Sequence, residues 1–277
     1  MHDAAALNDG NVLRLGNLEW TTPGSPQRLA RPRRRRRRFS RVRRFVGTAM
    51  AIALLCGITL GALLLISPGV GNAPELARQL DSAHRANYPG PAVPPRLAAA
   101  LVASLDRGFY SEAEPVRVAH DVMGQLIGSS SGPTAPSLSQ RLAAILYSHG
   151  RPGLVAAVEQ ALVSVKFDIN YSRAEIIQMY AAVTNFGHGY YGLAAASCGY
   201  FARPPDRLSW PQAAMLGALS AAPSAADPLT HPARARVAKS AVLRQLAAVG
   251  ALSQAAVARA YSEPLRLARQ NSAGPAC

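Results

Sequence analysis

Apolar and polar positions alternate in several distinct ways along the chain. From Phe45 to Ile66 there are 22 residues without a single charge. As a helix rising about 1.5 Å per residue, this run is about 33 Å long, enough to cross a hydrocarbon core. Farther on the pattern becomes amphipathic. Leu97, Leu101 and Leu105 recur at i, i+4 and i+8, one face of a helix, and Pro94-Pro95 ahead of them suit its first turn. Leu154 to Phe167 is an apolar helical run. Ser172-Arg173-Ala174-Glu175 has the form of a capping box and predicts a helix over Arg173–Val183. Ser209-Trp210-Pro211-Gln212 has the same form and predicts a helix to about Ser220. Pro232 to Val249 predicts a further helix, closed by Gly250. Residues 1 to about 30 are polar and aperiodic and read as a disordered tail, and residues 128–136, GSSSGPTAP, read as a mobile loop. No strand-like alternation exceeds four residues, and there is no internal repeat.

Composition agrees with a helical chain. Of 277 residues 49% are apolar and 6% aromatic, and Ala and Leu dominate. The net charge of +15 is concentrated: ten arginines and no acid lie between Arg31 and Arg44. Such a run alone suggests nucleic acid; set directly before a spanning helix it is the positive-inside signal, and no nucleic-acid partner is expected. A cleaved signal peptide fits less well, because the apolar run is longer than an ordinary h-region and no clean A-x-A site follows. The expected organisation is a cytoplasmic Arg-rich tail over 1–44, a transmembrane helix over 45–66, and an extracytoplasmic domain over 74–270. Of three cysteines, Cys56 lies in the apolar run. Cys198 and Cys277 read more readily as two free thiols than as a pair, though an oxidising compartment leaves the pair open.

Several motifs then fall at informative spacings. Leu105–Tyr110 reads LDRGFY, Pro136–Leu142 reads PSLSQRL, and Ser172 to Pro228 holds Ser172, Glu175, Ile176, Tyr180, Gly187, Gly189, Gly192, Ala195, Ala196, Tyr200, Phe201, Leu208, Ser209, Ala213, Ala214 and Pro223 in order. These segments resemble the motifs of the family 51 peptidoglycan glycosyltransferases over about residues 94–258. The resemblance implies a lysozyme-like helical domain at the outer face of a bacterial plasma membrane. It also implies lipid II and peptidoglycan glycan chains as substrates, other cell-wall synthases as candidate partners, and a divalent metal, Mg or Mn, as a candidate cofactor. No cofactor is fixed by the residues themselves. With the motifs ending where they do, an acyl-serine transpeptidase is expected on a separate chain.

The sequence departs from that family at the chemistry. The first family glutamate falls on Leu105 and the second on Gln160; the Arg-Lys pair upstream of the second becomes Ala156-Ala157, the first-motif His becomes Glu112, and the fifth-motif Glu becomes Gln212. A leucine cannot accept a proton, and a neutral amide cannot replace a carboxylate base. Asp106 and Glu159 each sit one residue from a lost glutamate, a turn of about 100° on a helix. Glu112 and Glu114 lie on a loop from which they could swing in. Candidate catalytic acids are therefore Asp106, Glu112 and Glu159. Candidate substrate contacts are Arg107, Phe109, Ser137, Gln140, Arg141 and Arg173, with Ser137 and Gln140 equally readable as a helix cap. Leu105 reads as core, and His188 with its neighbouring glycines as packing and turn chemistry; Gly187, Gly189 and Gly192 are expected to permit close helix approach. His120, His149 and His231 carry no partner spacing. Three functions follow: a lipid II-binding domain with impaired polymerisation, an active polymerase using a relocated acid, or a lysozyme-like glycan hydrolase with one carboxyl group of raised pKa.

Overall fold

Local capping sets much of the helical framework. In the computed structural model, Ser172 Oγ accepts the Glu175 N–H and the Glu175 carboxylate accepts the Ser172 N–H at 2.7 Å, closing the predicted box at the start of Arg173–Val183. Described are residues 34–84, 92–112, 115–117, 135–148, 153–268 and 277. The tail 1–30, most of the 128–136 segment, Glu114, His120 and His149 lie outside them. The α-helices among the described residues are α1 (Arg34–Ile66), α2 (Ala73–Ala83), α3 (Pro95–Leu105), α4 (Leu138–Leu146), α5 (Leu154–Asn170), α6 (Arg173–Val183), α7 (Leu193–Phe201), α8 (Trp210–Ala221), α9 (Pro232–Ala248) and α10 (Gln254–Ser262). A 3₁₀ turn covers Pro205–Arg207, and the described residues form no strand beyond an isolated bridge between Asn185 and Tyr191. The fold is mainly α, in agreement with the lysozyme-like expectation.

The chain divides into two compact units, Met1–Cys56 and Gly57–Cys277, with the boundary inside α1. Within α1, Val46–Ile66 has mean hydropathy 2.6 and is long and apolar enough to cross a membrane.

In the second unit, α8 is the central helix. Every residue from Pro211 to Ser220 is buried, as expected of a helix that is apolar all round. It packs against α3 and α9, while α4 packs on α5 and α6. The α3–α8 contact needs a glycine: a Cβ on Gly217 would lie 2.7 Å from the Ala100 carbonyl oxygen. The predicted Leu97, Leu101, Leu105 stripe is buried in this core.

Two expectations need correction. Gly187, Gly189 and Gly192 each have positive φ (89°, 73° and 79°), which L side chains rarely adopt, and shape the turn before α7, so close helix approach is not their common role. Of the three, Gly187 does permit a close approach, since a Cβ there would lie 3.0 Å from Tyr200 Oη in α7, while Gly189 has open space. Secondly, Cys198 and Cys277 form a disulfide, so they are not two free thiols. The bond joins the end of α7 to the chain's last residue, where the intervening backbone already returns: Ala268 N–H donates to the Tyr200 carbonyl at 2.8 Å.

Candidate active site

The Leu105–Glu112 segment leaves α3 and turns across the start of α4 and α6. Leu105 is the last residue of α3 and is 6% exposed, its side chain part of the hydrophobic core. Asp106 is already off the helix: it is the C-cap, with φ −158° and ψ 85°, so the expected helical rotation between positions 105 and 106 does not apply. What holds its carboxylate is a pair of protein contacts. Asp106 Oδ2 accepts the Leu138 N–H at 3.1 Å, and Oδ1 pairs with the Arg117 guanidinium. Its side chain is fully buried with both oxygens engaged, one by Arg117 and the other by the first residue of α4.

Next to it lies a second polar cluster, centred on Arg173 at the start of α6. Its guanidinium pairs with Asp168 Oδ1 at 2.6 Å, donates to the Glu112 carbonyl at 3.2 Å and sits 4.7 Å over the Phe109 ring. Ser139 Oγ, from α4, donates to the same Asp168 oxygen at 3.2 Å. Arginine suits this position because its planar fork can pair and stack at once. The structure thus brings together Phe109, Glu112 and Arg173 from the predicted set. Asp168, Ser139 and Arg117 complete the arrangement, and sequence reasoning did not single them out as site residues. The Glu112 carboxylate is exposed and passes close to Gly108, while its backbone carbonyl takes the Arg173 contact. Tyr110 stands nearby: burial raises its phenol above the ordinary value, and the Arg173 charge opposes this.

The remaining predicted residues are placed elsewhere or otherwise occupied. Ser137 and Gln140 make a full capping box for α4, with Gln140 N–H on Ser137 Oγ at 3.0 Å and Ser137 N–H on Gln140 Oε1 at 3.2 Å, so the cap reading accounts for both. Arg141 Nε donates to the Pro136 carbonyl at 3.2 Å. Arg107 is exposed, and its Nη2 lies 3.1 Å from the Gln245 amide oxygen when that amide is oriented as its neighbours require. On α5, Glu159 and Gln160 are both half-buried and differ by one helical step, so the 100° argument does hold there. Ala156 is buried and Ala157 exposed, with no charge at either position.

Among the described residues no three His, Cys, Asp or Glu side chains converge as a metal site would require. The acid best placed, Asp168, is already paired with Arg173. These donors do not fit a divalent ion.

His188 adopts a left-handed backbone (φ 52°) in the turn before α7 and its Nε2 lies 2.8 Å from Asp227 Oδ2. Asp227 also accepts from Thr230 Oγ1 and, at 2.9 Å, from the Leu229 N–H. The group shapes two turns, as the packing-and-turn reading expects.

Residues 73–247 match the family model described as Transglycosylase. The chain is similar to penicillin-binding protein 1A of Aquifex aeolicus, 27% identical over 65% of this chain and 25% of that protein. It is similar to a Cupriavidus necator protein provisionally named a transglycosylase, 27% identical over 79% of this chain and 95% of that one. It is also 30% identical to penicillin-binding protein 1C of Escherichia coli over 64% of this chain and 23% of the relative. The match thus covers only about a quarter of each of these penicillin-binding relatives.

Proposed function

Because the chain belongs to the transglycosylase family, we propose that it is a membrane-anchored, peptidoglycan glycosyltransferase-like protein that binds lipid II and is impaired in polymerising it. Glycosyl transfer to a sugar hydroxyl needs a base to take the hydroxyl proton. The observation that carries the reading is the environment of Leu105: a hydrocarbon side chain sealed in the core where the family resemblance puts that base. The adjacent carboxylate, Asp106, is buried and engaged by Arg117 and Leu138. At the second position an amide, Gln160, stands on α5. Binding is supported by what persists beside these losses. Arg173, held over Phe109 by Asp168, keeps a partly exposed guanidinium suited to a pyrophosphate. The apolar span Val46–Ile66 supports anchoring at the surface where such a substrate resides.

One observation favours a second reading, an active polymerase with a relocated acid. The Glu112 carboxylate is exposed on the turn that carries Phe109, and its backbone contacts Arg173. No comparable observation favours the hydrolase.

Both readings are tested on purified full-length protein in detergent by measuring lipid II binding and glycan formation in parallel. Saturable binding without glycan chains is expected, weakened about tenfold by Arg173→Lys, which removes the fork but keeps the charge. Absence of saturable binding in a protein that melts cooperatively would sink the proposal.

A further inference from the structure

Lys166 and Lys239 are the only lysines in a chain whose other basic residues, histidines aside, are all arginine. Lys166 serves the structure directly, since its ammonium donates to the carbonyls of Ser67 and Pro68 at 2.7 and 2.9 Å. Lys239 has no such role. It is 5% exposed, yet among the described residues it has no hydrogen-bonded or ion-paired partner. It lines an open cleft of about 440 Å³ between α9, α10 and the segment that follows α10. Arg236, one turn earlier on α9, lines the same cavity, as does Glu263 at the end of α10. Pro232, Leu265 and Leu267 supply apolar wall.

The cavity is held open by specific bonds. Tyr261 Oη donates to the Ser240 carbonyl at 3.0 Å and fixes α10 on α9. Gln212 Nε2 donates to the Leu265 carbonyl at 3.0 Å and fixes the far wall on α8. Residues 254–267, which form that wall, lie beyond the 73–247 match to the family model.

We propose that this cavity binds a small monocarboxylate with an apolar body. Lys239, Arg236 and Glu263 leave one positive charge in excess, which a single carboxylate would neutralise. A doubly charged phosphate would not. The Lys239 stem is buried while its ammonium opens to the cavity and donates to no acceptor among the described residues, so a carboxylate there would give it a charge-assisted partner. Consistent with an unmet cation, burial and then the nearby Arg236 charge lower the Lys239 pKa below its ordinary value, with Glu263 opposing. The volume falls within the range of small-molecule sites, and the proline and leucine walls suit an aliphatic body.

Amine acylation reads this site directly, since the only side-chain amines are Lys166 and Lys239. The full-length protein in detergent is treated with a limiting acetyl ester, and each lysine is quantified by peptide mass spectrometry. N-acetyl-leucine is expected to slow Lys239 acetylation saturably while leaving Lys166 unchanged. N-acetyl-leucinamide, with the same body and no charge, should not protect. The variant Arg236→Gln, at an exposed position, should raise the half-protecting concentration about tenfold, the usual worth of one charge-assisted contact. Protection by the amide or by inorganic phosphate equal to that by the carboxylate would overturn the proposal. So would a Lys239 that takes no label in the folded protein, or labelling that the carboxylate does not change.

Discussion

The Asp106 carboxylate accepts the N–H of Leu138, 32 residues farther along the chain, at 3.1 Å. With Arg117 on its other oxygen, this acid fastens the α3 exit to the start of α4. Asp106→Ala should therefore cost stability, about 3–5 kcal/mol, because it strands a partly buried guanidinium and an N–H. Chemical denaturation checks this. Asp106→Asn, which can still accept from Leu138, should cost less. Equal and negligible losses would argue that the acid serves the substrate instead.

Asp227 predicts an acid-sensitive step. Burial pushes its carboxyl up, but hydrogen bonds from Thr230, the Leu229 N–H and His188, together with the His188 charge, outweigh this and hold it below the usual carboxylate value. A depressed folded-state pKa stabilises the protein above the unfolded value, about 3.9, and that contribution is lost as pH falls through the lowered one. Urea unfolding across this acid range should show a steeper fall for the wild type than for Asp227→Asn. Parallel curves would contradict it.

Gln212 Oε1 accepts the Ser209 N–H at 3.0 Å while Nε2 donates to Leu265. A glutamate can do the first and not the second, and would set a carboxylate against a carbonyl. Gln212→Glu should release the segment after α10, cost about 1–3 kcal/mol, and raise hydrogen exchange there selectively. Unchanged exchange over residues 263–268 would refute this.

The Cys198–Cys277 bond accounts for two of the chain's three cysteines. Alkylation of unreduced, denatured protein should add one label, and reduction beforehand should allow three. Three labels without reduction would place the domain in a reducing compartment, against the expected topology.

Legibility followed distance along the chain. The Ser172–Glu175 box and α6 were readable because both partners lie within four residues. Helix α7 gave no period, since most of its side chains are small or apolar and no polar face sets a phase. Gly217 looked like an ordinary helical residue; only its contact with Ala100 in α3 explains it. At the site, Leu105 as core was visible from its stripe. The engagement of Asp106 was not, because its partners come from elsewhere in the sequence and the helix ends one residue before it. The Cys198–Cys277 pairing joins residues 79 apart and depends on a returning segment that carries no local signature.

The most direct measurement is glycan formation from lipid II by the purified full-length chain. With hydrocarbon at position 105 and an amide at 160, no polymer above the protein-free reaction is predicted. Chains that form with the wild type and disappear in Glu112→Gln or Glu159→Gln would contradict impaired polymerisation and assign that acid as the base.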